Sequence, residues 1–185
     1  MVKTMEVKSV WAPRFIGAAI VQGALATALT AYIVLGQLFF LKPSVSRVIA
    51  LGSAGTWFTV GYATYLLVGV LGVAVTAIFY HYIEDVLGKT YRGIASVLAW
   101  LHLVLMNIGV LGATWLMMVG GYLGGAAMLP AEVGGKGWNP GQVHMNIFYS
   151  IPMGYPFWIS AFILILILGV LLGGLGYLIV WFQKE

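Results

Sequence analysis

The sequence contains no cysteine, which excludes disulfides, iron–sulfur clusters and thiolate metal sites. Charge is nearly as scarce, at 8% of the 185 residues, and its placement matters more than its amount. None of the acidic residues (Glu6, Glu84, Asp85, Glu132, Glu185) and none of the basic ones falls inside four long apolar stretches, at about 15–41, 57–82, 96–122 and 156–182. A charge at a helix centre costs at least about 2.5 kcal/mol, so charges within spans usually mark ion or proton pathways. Their absence argues against pump chemistry. Also missing are a serine nucleophile with a base beside it, a glycine-rich loop between strand and helix, and paired carboxylates in a cleft. Glu84-Asp85 is expected in a solvated turn beside Lys89 and Arg92.

What is present is hydrophobic residue, 62% of the chain. Each stretch exceeds the roughly 20 apolar residues that cross a hydrocarbon core. The expected fold is all-α: an integral membrane protein of four transmembrane helices, forming a single transmembrane domain over 1–185. Residues 1–185 leave no room between the spans for a soluble catalytic domain. The first apolar run is too long for a signal-peptide core and is expected to remain as a helix.

The net charge of +4 is distributed as membrane topology rather than as a nucleic-acid surface. With the N-terminus inside, the inner segments hold Lys3, Lys8, Arg14, Lys89, Arg92 and Lys184, and the outer loops hold Lys42, Arg47 and Lys136. Basic residues favour the cytoplasmic side, so both termini are expected to be cytoplasmic.

Punctuation follows the same plan. Lys42-Pro43-Ser44 ends the first span. A short link with Gly88 as breaker makes an antiparallel hairpin of the second and third spans. The polar segment from Leu123 to Asn146, with Gly134-Gly135-Lys136-Gly137-Trp138-Asn139-Pro140 inside it, is expected to be a loop. Two stripes of small residues suit close helix packing: Ala19, Gly23, Thr27 and Ala31 in the first span, and Gly169, Gly173 and Gly176 in the fourth. A contact inside the chain's own bundle is the simpler use of each. With both present, at least one is expected to face a partner.

Three histidines are candidates for chemistry. His81 ends the second span, His102 lies about two turns into the third, and His144 is in the outer loop. The hairpin carries His81 and His102 to the same membrane side, at depths about one helical turn apart. The simple reading makes His81 an interfacial residue and His102 a hydrogen-bonded helix contact. The alternative makes the pair a haem or quinone site. Asn107, deep in the third span, is expected to hydrogen-bond across helices.

The run Thr56-Trp57-Phe58-Thr59-Val60-Gly61-Tyr62-Ala63-Thr64-Tyr65 leads on to the cluster Phe79-Tyr80-His81-Tyr82 and the turn Gly88-Lys89. The next helix carries His102-Leu103-Val104-Leu105-Met106-Asn107-Ile108-Gly109 and ends at Gly120-Gly121-Tyr122-Leu123-Gly124-Gly125. From Thr56 to Pro130 this resembles the tenth and eleventh helices of subunit I of the haem–copper oxidases, with the fourth span as the twelfth. The resemblance departs at the ligands. The family's haem histidines fall on Tyr62 and Thr64, and its propionate-binding arginines fall near Pro130-Ala131-Glu132. Neither haem nor copper is therefore expected on this chain alone. The resemblance implies a shortened, non-catalytic membrane subunit of a respiratory terminal oxidase, multi-pass in the plasma membrane. It would pack against the catalytic subunit, with haem and copper in partner subunits and contacts to lipid or quinol. A small b-type cytochrome or quinol-binding electron carrier using His81 and His102 is the alternative, and a transporter of neutral solutes a third reading.

Overall fold

A computed structural model of the chain describes residues 9–183. Lys3, Lys8 and Lys184 of the topology count lie outside them. Four helices are long and apolar enough to cross a membrane: Trp11–Phe39, Gly55–Val86, Ile94–Met128 and Gly154–Trp181, here the first to fourth spans. No strand occurs among the described residues. The chain is an all-helical, multi-pass membrane protein.

The spans differ from the expected ones in instructive places. The first begins at Trp11 rather than near residue 15, because Trp11 and Ala12 are buried and its opening N–H groups find an acceptor on the second span. Pro13 fits there, since the first turn needs no intrahelical N–H partner. The third span continues to Met128, taking up six residues expected in the loop. Glycines at its end are contact surface rather than breakers: a Cβ on Gly125 would meet Val48 Cγ1 at 2.6 Å. A short helix at Val45–Leu51 fills the link between the first and second spans. The second span carries π-helical segments at Tyr65–Gly72 and Tyr82–Val86, features common where a helix serves a function.

The third span is the centre of the bundle, with the second on one side and the fourth on the other. Glycines set both distances. A Cβ on Gly61 would lie 2.7 Å from Thr114 O, and one on Gly169 would lie 2.7 Å from Met106 N. Backbones therefore approach to the separation that small residues permit, which gains dispersion contacts that lipid would not supply. A polar triad with Tyr65 and Gln22 buried and Asn107 half-buried ties in the first span: Tyr65 OH donates to Gln22 Oε1 at 2.9 Å, and Gln22 Nε2 donates to Asn107 Oδ1 at 2.8 Å. Asn107 bonds across helices, as its depth predicts.

Ser9 to Trp11, Trp181 to Gln183 and the 87–93 link gather at one end of the bundle, here the terminal end. Lys89 Nζ donates to the carbonyls of Trp181 and Gln183, a cation on the negative end of the fourth helix. The 40–54 and 129–153 links form the opposite, loop end. Since native cysteine is absent, cysteines placed at Lys89 and Lys136 are expected to react with an impermeant thiol reagent from opposite sides of intact membranes. Reaction of both from one side would remove this arrangement.

Candidate functional site

The densest collection of chemistry-bearing side chains lies inside the terminal end. Tyr80 from the second span, His102 from the third and Tyr177 from the fourth meet Trp11 and Phe15 from the first and Tyr91 from the link. Ring centroids are 4.9 Å apart for Tyr80–Tyr177, 5.1 Å for Tyr80–Tyr91 and 5.1 Å for Phe15–His102. Tyr80 OH lies 3.2 Å from His102 Nδ1, so with that nitrogen unprotonated the phenol donates to it. Gly173 makes room for the imidazole, since any side chain there would overlap the ring. The hydroxyls of Tyr91 and Tyr177 are buried without a partner among the described residues. Burial pushes the Tyr91 phenol up, with the neighbouring Tyr80 and Glu84 adding to the shift, so it stays protonated at any physiological pH.

Glu84 stands at the edge of this cluster and corrects an expectation. It is not in a solvated turn: it is 3% exposed, within the second span rather than beyond it. The π turn Tyr82–Val86 rotates it inward, and its Oε2 accepts from Ser9 Oγ at 2.7 Å, Trp11 N at 2.9 Å and Val10 N at 3.1 Å. It is the N-terminal cap of the first helix, supplied from 73 residues away in sequence. Asp85 takes the exposed role and pairs with His81 Nδ1 at 2.6 Å.

His81 and His102 are thus not brought together. His81 points outward to Asp85, while His102 points inward to Tyr80. His144 is exposed beside Tyr149 in the loop end. Among the described residues no three of His, Asp and Glu come close enough to hold a metal ion. Tyr62, at a haem-ligand position of the resembled family, has its hydroxyl 2.7 Å from Thr30 Oγ1. Chemically, the cluster offers phenol donors and one imidazole acceptor in an apolar shell.

The two small-residue stripes have different fates. Gly169, Gly173 and Gly176 are buried against the third span, so that stripe is internal. Ala19 and Gly23 are half-buried, and Thr27 and Ala31 are exposed. Sequence reasoning missed Gln22, Tyr65, Tyr91, Tyr177 and the role of Glu84. A signal for Gln22 existed: it is an amide in the middle of an apolar run, where an unpaired amide is costly. In comparisons with family models, with curated proteins and with solved structures, the chain matches none.

Proposed function

We propose that this chain is a non-catalytic subunit of a respiratory terminal oxidase of the haem–copper class, in the plasma membrane with both termini cytoplasmic. It packs against the catalytic subunit, and haem and copper reside in partner chains. The class of complex rests on the sequence resemblance. The mechanism rests on one observation, the open small-residue face of the first span. There Ala26, Thr27, Thr30 and Ala31 form a groove with Tyr62 and Leu66 of the second span. Thr27 turns its hydroxyl back to Gly23 O at 2.9 Å, leaving the groove smooth and apolar. In lipid, such a face gains most from another helix that approaches closely. Only 11% of the first span's most apolar window is buried within the chain, against 33% for the second and third spans. The first span is the one with surface to spare.

Ala31→Leu fills this groove without touching the chain's own core. Mild-detergent purification of the variant is expected to recover about tenfold less of the oxidase partner, the order of one close helix contact, with an unchanged melting temperature. Equal recovery from wild type and variant would remove the interaction model. A haem that travels with the chain in the absence of any other subunit, and is lost on His102→Ala, would replace it with the cytochrome reading.

A further inference from the structure

At the outer edge of the terminal end, the guanidinium of Arg14 lies in the corner formed by two indoles, 4.5 Å from the ring centre of Trp11 and 4.6 Å from that of Trp100. The two indoles meet edge to face, with centroids 5.3 Å apart. Trp11 is fixed by burial, and Trp100 is 47% exposed. Both indoles lie on one side of the guanidinium, so the N–H donors on its far side are left to face outward. Among the described residues the one ion pair is His81–Asp85, so no described carboxylate lies within salt-bridge distance of the guanidinium. Glu84 spends its Oε2 on Ser9 and the first-turn N–H groups, and Asp85 pairs with His81. The result is a cation positioned by two indoles, with no described carboxylate beside it and part of its planar donor fork facing outward.

Its depth names the ligand. The third span has 35 residues and is about 52 Å long, which overhangs a hydrocarbon core of about 30 Å by roughly 11 Å at each end. Trp100 is six residues, roughly 9 Å, in from the start of that span at Ile94. The clamp therefore sits where headgroup phosphates meet acyl chains, with the indoles as apolar walls for the upper part of a tail. We propose that Arg14, clamped by Trp11 and Trp100, binds the phosphate of an anionic phospholipid. The guanidinium fork matches two phosphate oxygens, and the site does not depend on which complex the chain belongs to.

The test is native mass spectrometry of the full chain in a non-ionic detergent, delipidated and then offered phosphatidylglycerol or phosphatidylcholine at equal concentration. The wild type is expected to retain one phosphatidylglycerol in preference to phosphatidylcholine. Arg14→Gln is expected to weaken that binding by at least about tenfold, the range of a charge-assisted bidentate contact. Arg14→Lys keeps the charge without the fork, and Trp100→Leu keeps the charge without the clamp, so both are expected to lose most of the affinity. Trp100→Leu carries the test should Arg14→Gln fail to fold. Full binding by Arg14→Lys would reduce the site to general surface charge and overturn the proposal. Equal retention of the two lipids, or displacement of the lipid by an equal concentration of inorganic phosphate, would overturn it as well.

Discussion

Gly173→Leu is expected to destabilise the isolated chain by about 3 kcal/mol or more, the upper end of what overpacking a tight core costs. The glycine faces the imidazole of His102 so closely that even a methyl group would overlap it. His102 has nowhere to go. Its ring is packed against Phe15 at 5.1 Å and Tyr177 at 5.9 Å, and its Nδ1 is engaged by Tyr80. Making room means parting the third and fourth spans or breaking the Tyr80 contact, which would leave two buried polar groups unpaired at about 1–3 kcal/mol each. The neighbouring Gly174 is the control, because nothing lies within 4 Å of a Cβ placed there. Gly174→Leu should change the detergent melting temperature little. If the two variants melt alike, the third and fourth spans are not packed as described. Combining Gly173→Leu with His102→Ala should cost less than the sum of the two single changes, since the second removes the group the first strikes.

The same residue shows how far the sequence carries. Composition alone identified four spans, because lipid imposes one rule on every position of a span and twenty apolar residues satisfy it visibly. Spacing also identified Gly169, Gly173 and Gly176 as a packing face. What spacing could not say was against what. Gly23 and Gly173 have the same local pattern, yet a Cβ on Gly23 would find only Val70 Cγ1 at 4.0 Å, so the two differ by the whole cost of a collision. That difference lies in a second helix, which one-dimensional periodicity does not contain. The cluster at the terminal end was hidden for the same reason. Tyr80, His102 and Tyr177 come from three spans, and each alone reads as an ordinary aromatic or an isolated imidazole. Glu84 was misread because the second span was expected to end near residue 82, leaving both carboxylates in the link, whereas a π-helical turn carries the helix on to Val86. Asp85 then occupies the exposed place that sequence had given to both.

Glu84→Ala should release the start of the first span. One carboxylate oxygen there holds Ser9 Oγ and the amides of Val10 and Trp11, with Ala12 N more distant at 3.4 Å. These N–H groups belong to the first helical turn and have no intrahelical acceptors. Losing a cap costs up to about 2 kcal/mol, and losing a negative charge from the positive end of the helix adds up to about 2 kcal/mol in a partly buried setting. A total near 3 kcal/mol corresponds to roughly a hundredfold faster exchange for amides protected by this turn, read by hydrogen exchange on a peptide spanning residues 9–15. Glu84→Gln keeps an acceptor oxygen and loses the charge, so its exchange should fall between the two. The third span should keep its protection, because Glu84 does not hold it, and that locality separates a lost cap from general unfolding. Unaltered exchange in Glu84→Ala would mean that the first turn is secured by the burial of Trp11 and Phe15 alone. Trp11 links this cap to the lipid clamp: its backbone N–H is bound by Glu84 and its indole supports Arg14. Glu84→Ala should therefore also weaken phosphatidylglycerol binding without altering a single residue of the clamp, as expected if the buried carboxylate fixes the indole against which the guanidinium is stacked.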